Sequence, residues 1–146
     1  MCAILDANTS GEVLSANPPA DAEMFRSWVE TGSGSLVAGG KLLRELENNR
    51  SVQKWLVNLK AAGKLFRIND GLVDAEEEKL ALPGVCVSDD PHVVALAVTS
   101  GARLLFSRDN DLRSDFRNPS LVNKPRGKIF QGQTHLLRTN VCKNCK

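Results

Sequence analysis

No apolar run in this sequence approaches the ~20 residues that a membrane-spanning helix requires, so no membrane association is expected. The first apolar run, at residues 2–5, follows no basic stretch and is cut short by Asp6, so we expect no secretory signal. The cytoplasm is the expected location. The sequence also lacks a Gly-x-Ser-x-Gly motif, which argues against nucleophilic serine chemistry.

Cysteine is scarce, with four residues in the chain. Cys2 and Cys86 lie in apolar segments where small buried thiols are common, and a reducing cytoplasm disfavours disulfides, so we expect both to be free. Cys142 and Cys145 have half the spacing of a zinc site, with His135 as the nearest further ligand. Two exposed thiols are the simpler interpretation, and zinc shared with another subunit is the alternative.

The composition is that of one globular domain. The 146 residues are 42% apolar and 25% charged, and we expect a single unit over residues 1–146 with a basic C-terminal extension from about 123 to 146. Residues 103–146 hold ten Lys or Arg against three Asp, whereas the preceding residues hold nine against fourteen Asp or Glu. This asymmetry favours binding of a polyanion beside a carboxylate cluster, and a solvated basic tail is the alternative.

Strands and helices are predicted to alternate along the chain. The expected strands are residues 2–5, 35–38, 65–68, 103–107 and 128–130, with a polar loop after the first. The expected helices are residues 20–30, 41–62 with a break near 48–49, 75–82, 91–100 and 134–138. This order predicts an α/β fold, a three-layer α/β/α sandwich with a central, mainly parallel sheet.

Four acidic residues stand where this fold would bring them together. Asp6 and Asp109 follow predicted strands, and ligands collect outside the carboxyl ends of parallel strands. Asp90 begins a helix, and Glu45 lies about one turn into the helix after the second strand. Clustered carboxylates are the ligands that Mg²⁺ or Mn²⁺ prefers. Such metals activate water and stabilise charge on phosphate, so the pattern predicts phosphodiester hydrolysis without a covalent intermediate.

Each acid also has a simpler explanation. Asp6 could form a turn, Asp90 could merely cap its helix, and Asp109 could be a solvated loop acid. Glu45 could be an ordinary surface residue, with Glu47 as a close competitor. The order of the four on the expected elements is what favours a site.

In these motifs the chain resembles the PIN-domain nucleases, which include the VapC-like toxins. The resemblance rests on Ile4-Leu5-Asp6-Ala7-Asn8, Glu45-Leu46, Asp90-Pro91-His92-Val93-Val94-Ala95-Leu96-Ala97 and Ser107-Arg108-Asp109-Asn110-Asp111-Leu112. It implies a metal-dependent endoribonuclease, often toxin-like, that acts on RNA. An antitoxin protein and a second copy of the chain are candidate partners. Relative to the family, residues 9–12 are expected to lengthen the first loop.

On this interpretation Asp6, Asp90 and Asp109 are the principal metal ligands. Glu45 is a fourth catalytic acid that binds directly or through water and orients the nucleophile. Ser107 or Asn8 would position a ligand by hydrogen bonding. The remaining candidate is Arg108, which either binds phosphate or is simply solvated.

The acids on either side of Asn110 are assigned different roles. Asp109 is expected to be anchored by the preceding strand and to hold metal, whereas Asp111 is expected to cap the turn at 112–116. Arg126 and Lys128 are expected to contact RNA from the basic extension.

Two other functions compete with this one. A haloacid-dehalogenase-like phosphatase also begins with an Asp after a strand, but it needs a second Asp two residues later, where this chain has Asn8. A non-catalytic PIN-like module that binds nucleic acid or a protein partner is the second alternative. The presence of all four acids favours catalysis.

Overall fold

The protein is described here by a computed structural model, which describes residues 1–138. Its strands are β1 (Cys2–Leu5), β2 (Ser35–Ala38), β3 (Leu65–Arg67), β4 (Leu104–Phe106) and β5 (Lys128–Ile129). Its helices are α1 (Ala7–Val13), α2 (Ala20–Glu30), α3 (Gly40–Glu47), α4 (Arg50–Ala61), α5 (Asp70–Leu80), α6 (Pro91–Ser100) and α7 (Asn110–Arg117), followed by a 3₁₀ helix (Thr134–Leu137). Within these residues, none of the helices has the length and apolar character needed to cross a membrane.

The five strands form one parallel sheet in the order β3-β2-β1-β4-β5. Seven helices of residues 1–138 flank it, which confirms the predicted α/β/α sandwich. The chain adds β2 and β3 on one side of β1 and then β4 and β5 on the other. The order therefore reverses between β1 and β4, and such a switch point is where ligands bind in open parallel sheets.

The sheet's central strands are apolar because helices cover both of their faces. All four residues of β1 and all three of β4 are buried. Phe106 of β4 packs with its ring centroid 4.9 Å from that of Phe25 in α2 and 5.9 Å from that of Phe130 after β5. This core fixes the positions of the strand ends that carry the site.

Two predicted boundaries are wrong. The residues after β1 form helix α1 rather than a lengthened polar loop, because Asp6 caps the helix by accepting a hydrogen bond from the Asn8 backbone nitrogen at 3.3 Å. Helix α5 begins at Asp70, five residues before the predicted start, because the Asn69 side chain accepts from the Leu72 backbone nitrogen. In both cases a side-chain cap starts a helix where the helical periodicity of the sequence is weak.

Other local predictions are confirmed. The break between α3 and α4 falls at residues 48–49, where the Asn49 side chain accepts from the backbone nitrogens of Ser51 and Val52. Pro91 occupies the first position of α6, and the helix ends at Gly101 with φ of 79°. The weakly patterned segment at 65–68 does form a strand, β3.

Part of the predicted C-terminal extension belongs to the fold. Strand β5 pairs with β4, and Phe130 and Leu136 are buried in the core. The predicted strand and short helix of this segment are therefore confirmed. Cys142 and Cys145, with residues 139–146 as a whole, lie outside the described residues.

The prediction that Cys2 is a free thiol is wrong, since Cys2 is disulfide-bonded. Cys86 is a half-buried free cysteine, as expected. Cys2 is buried in β1, as its apolar neighbours in the sequence predict. Pairing, however, depends on which residues meet in the tertiary fold, which local composition does not encode.

Candidate functional site

Asp6 and Asp109 lie at the switch point of the sheet. Asp6 directly follows β1 and is 3% exposed, and its backbone nitrogen donates to the Phe106 carbonyl at 3.0 Å, which continues the pairing of β1 with β4. Asp109 follows β4 by three residues and is half-buried. The two acids predicted from separate strands therefore stand at the same edge.

Ser107 connects these two residues. Its hydroxyl donates to Oδ2 of Asp6 at 2.7 Å and accepts from the backbone nitrogen of Asp109 at 3.1 Å. The side chain is 1% exposed, so neither bond competes with bulk water. Ser107 therefore contacts two of the predicted metal ligands, and its supporting role stays a prediction. For Asn8 the contact to Asp6 comes from its backbone nitrogen, while the residue itself is exposed.

The expected division of roles between Asp109 and Asp111 is wrong in one respect. Asp109 is the cap of α7, because its Oδ1 accepts from the backbone nitrogens of Asp111 at 2.9 Å and Leu112 at 3.2 Å. Asp111 is an exposed residue in the first turn of that helix and not its cap. The helix begins two residues before the predicted turn, which shifts the cap to Asp109. Its Oδ2 forms none of these bonds.

Asp90 occupies the cap position of α6 without acting as a side-chain cap. Capping alone therefore does not account for it. The loop before it is held by Asp115, a 1% exposed carboxylate that accepts from the backbone nitrogens of Val87 and Ser88, both at 2.9 Å, and from the Ser88 hydroxyl at 2.6 Å. The Ser88 hydroxyl in turn accepts from the Asp90 nitrogen at 3.3 Å.

Sequence reasoning missed Asp115, because an acid on a charged helix is indistinguishable from a solvated one. It also missed His92, whose Nε2 lies 3.0 Å from Oε2 of Glu45. A histidine in the first turn of an otherwise apolar helix was the signal that could have identified it. The contact separates Glu45 from its competitor, since Glu47 is exposed and lines a different pocket, between α3, α4 and β3.

The electrostatics link all four predicted acids. Burial raises the pKa of Asp6, the hydrogen bonds from Ser107 and Asn8 oppose the rise, and the charges of Asp109 and Glu45 add to it. Burial is also the main cause of the raised pKa of Asp90. There His92 opposes the rise, while the charges of Asp6, Asp109 and Glu45 add to it. Asp6 and Asp90 therefore lie within electrostatic reach of Asp109 and Glu45, whose charges disfavour the ionised forms of Asp6 and Asp90.

The predicted basic residues are not gathered at this edge. The Arg108 guanidinium forms ion pairs with Asp21 and Glu12, both at 2.5 Å, and lies 5.1 Å from the Phe106 ring centroid. Arg108 is exposed, and its guanidinium is already paired with two carboxylates of the protein.

Arg126 and Lys128 lie elsewhere. Arg126 precedes β5, on the side of the sheet where the strands begin, and its Nε donates to the Arg117 carbonyl at the far end of α7. Lys128 is the exposed first residue of β5 and pairs with Leu104, the first residue of β4. The carboxylates stand at the opposite edge, where the strands end.

The donor chemistry of the site suits a hard divalent cation. The donor atoms of all four acids are carboxylate oxygens. The pKa values of Asp6 and Asp90 are raised, first by burial, so a bound cation would favour their ionised forms. Within residues 1–138, however, no group of three or more His, Cys, Asp or Glu side chains is already arranged to hold a metal ion. The acids are thus near one another without forming a finished ligand set.

These features define a carboxylate site at the switch point of a parallel α/β sheet. No protein-family model, no curated protein and no solved structure matches this chain.

Proposed function

We propose that this chain is a metal-dependent endoribonuclease of the PIN type, which hydrolyses phosphodiester bonds in RNA. The observation that carries the proposal is the buried Asp6 carboxylate at the switch point, bonded to Ser107 and raised in pKa by burial and by neighbouring acids. A buried carboxylate kept beside like charges is destabilising unless a ligand compensates it. Capping of α1 does not account for the charge, because asparagine would cap the helix about as well.

The residues that would hold Mg²⁺ or Mn²⁺ are Asp6, Asp90 and Asp109. When bound, such a cation would activate water and stabilise the negative charge that develops on the phosphate. Ser107 fixes one oxygen of Asp6 and the start of the Asp109 loop. Glu45, which is 34% exposed on its side chain, would accept a hydrogen bond from the attacking water and orient it.

Asp115 would serve the site by holding the loop before Asp90. Its three accepted hydrogen bonds fix residues 87 and 88. The Ser88 hydroxyl then holds the Asp90 backbone by accepting a hydrogen bond from its nitrogen. Preorganised ligands avoid the entropy of ordering at the moment of reaction. We expect the unfinished ligand set to close when cation and RNA phosphate neutralise the acids.

The closing test compares wild type with Asp6→Asn and Asp111→Asn on a fluorescent single-stranded RNA. Wild type should cleave with Mg²⁺ or Mn²⁺ and stop in excess EDTA, Asp6→Asn should lose activity by orders of magnitude, and Asp111→Asn should remain close to wild type. A DNA strand of the same sequence tests the choice of RNA. Equal cleavage by wild type and Asp6→Asn, or cleavage that survives EDTA, overturns the proposal.

The lack of a finished ligand group within residues 1–138 is the observation that favours the second candidate, a non-catalytic PIN-like module that binds nucleic acid or a protein partner. Such a module would bind RNA with the same affinity in Mg²⁺ and in EDTA and leave it intact.

A toxin role would require an antitoxin protein that silences cleavage, and a homodimer would be visible by light scattering. A cytoplasmic location also remains a prediction. The disulfide of Cys2 counts against it, because disulfides are rare in a reducing compartment.

A further inference from the structure

His92 is a buried polar side chain in a helix whose other buried residues are almost all apolar. It is 1% exposed, and its Nδ1 is buried without a hydrogen-bond partner among the described residues. Burying an unpartnered polar atom destabilises a fold. An apolar residue of similar size would therefore serve packing better, and the position needs another explanation.

The other ring nitrogen supplies that explanation. Nε2 lies 3.0 Å from Oε2 of Glu45, and an ionised carboxylate oxygen can only accept a hydrogen bond. With the Glu45 carboxylate ionised, Nε2 carries the hydrogen and donates it, whichever charge state the ring has. A hydrogen bond to an ionised acceptor is among the stronger ones in proteins.

The bond joins two helices that carry separate parts of the site. Glu45 stands on α3, and His92 stands two residues after Asp90 at the start of α6. The same helix start thus positions Asp90 and holds Glu45. A half-buried glutamate would otherwise exchange among many rotamers, and fixing one of them removes the entropy of ordering it later.

We propose that His92 is a positioning residue, which orients the Glu45 carboxylate relative to Asp90. This inference rests on the proposed function, since the orientation matters only if the carboxylates act together. It assigns to α6 a second contribution to the site beyond Asp90. It also explains why Glu45, rather than Glu47, faces the other acids.

The catalytic test replaces His92 by leucine, which keeps bulk and removes both nitrogens. His92→Leu should fold with a Tm close to that of wild type, because removal of the unpartnered nitrogen offsets loss of the bond to Glu45. Its kcat should nevertheless fall by about ten- to a hundredfold with little change in KM. His92→Gln, which retains an N–H donor, should recover part of the loss. Glu47→Gln is the matched control and should stay at wild-type activity.

A double-mutant cycle shows whether His92 acts through Glu45. The pair His92→Leu with Glu45→Gln should be no slower than Glu45→Gln alone, because the group that His92 orients is already impaired. Losses that multiply would assign His92 a merely structural role. Wild-type kcat in folded His92→Leu would overturn the inference outright.

A second measurement needs no activity. In metal-free protein, NMR should give distinct signals for the two γ-methylene protons of Glu45, and they should converge in His92→Leu while those of Glu47 do not change. If His92→Leu does not fold, His92→Met removes the donor with a more adaptable side chain. Distinct Glu45 protons in the donor-free variant would overturn positioning, whereas an inactive wild type with converging protons would refute only the proposed function.

Discussion

Ser107 donates a hydrogen bond of 2.7 Å to Asp6 across 101 residues of sequence. The same hydroxyl accepts from the backbone nitrogen of Asp109, so one buried oxygen joins the ends of β1 and β4. The bond lies at the switch point of the sheet and holds the most buried of the four acids.

Ser107→Ala should weaken both stability and activity. The Ser107 hydrogen bond lowers the pKa of Asp6, so its loss should raise that pKa further and disfavour the charged form. The buried Asp6 carboxylate and the half-buried Asp109 backbone nitrogen would each lose a bond, which should reduce the free energy of unfolding by about 1–3 kcal/mol. RNA cleavage should fall by about ten- to a hundredfold.

Ser100→Ala is the matched control for this change. Ser100 is 2% exposed, and its hydroxyl accepts from the Ala102 backbone nitrogen at the opposite end of α6 from Asp90. Denaturant unfolding and initial rates should reveal lost stability without lost activity. Equal loss of activity in both variants would contradict the role of Ser107 at the site.

Two substitutions of Asp109 should distinguish its role as a helix cap from its role in RNA cleavage. Asparagine caps helices about as well as aspartate, so Asp109→Asn should keep its stability while RNA cleavage falls by orders of magnitude. Asp109→Ala should lose the activity and also about 1 kcal/mol of stability. Asp111→Asn should change cleavage little, because Asp111 is exposed and does not cap α7. Full activity in Asp109→Asn would remove it from the metal ligands.

The Asp90 carboxyl group should make the free energy of unfolding decrease as the pH rises toward neutral. Its pKa is raised in the folded protein, first by burial, so the folded state binds the proton more tightly than the unfolded state. Stability contributed by this group is present below the unfolded pKa of ~3.9 and is lost as pH rises through the higher folded pKa. In EDTA, Asp90→Asn should therefore raise Tm at neutral pH and leave it nearly unchanged at about pH 3.

Thermal unfolding at both pH values checks this expectation, with the exposed Glu47→Gln as control. Asp90→Asn removes no side-chain capping bond, so a loss of helix stability should not mask the effect. A Tm gain as large at low pH as at neutral pH would show that charge is not the cause. Added Mg²⁺ should stabilise wild type more than Asp90→Asn.

Asp115 should behave as the anchor of the loop before Asp90. Asp115→Ala leaves three donors of residues 87 and 88 without their acceptor, which should cost at least ~3 kcal/mol of stability. Ser88→Ala removes one side-chain bond and should cost about 1 kcal/mol. Hydrogen exchange of the Val87 and Ser88 amides should accelerate more than exchange in β1. Unchanged protection of these amides in Asp115→Ala would contradict the anchor.

The basic residues beyond the carboxylate edge should be tested by salt dependence. If Arg126 and Lys128 contact RNA phosphates, replacing both by glutamine should flatten the slope of log affinity against log salt by about one per lost contact. Fluorescence anisotropy measures the slope. An unchanged slope would confine RNA binding to other surfaces, in keeping with their position away from the acids.

The sequence by itself determined the alternation of strands and helices and the layer order that follows from it. It also determined that Asp6 and Asp109 follow buried strands, because periodicity and burial are local patterns. The sequence patterns predicted a loop at residues 7–13 and the wrong cap for α7. In both places the side chain of one aspartate caps a helix whose periodicity in the sequence is weak. Even these errors left the acids at the correct edge.

Only the tertiary structure decided which groups meet. The placement of β4 beside β1 brings Ser107 to Asp6, and the packing of α3 against α6 brings Glu45 to His92. The anchoring of residues 87 and 88 by Asp115 also has no local signal. Such contacts join residues far apart in sequence, and they depend on strand order and on the register of packed helices, which local patterns do not encode.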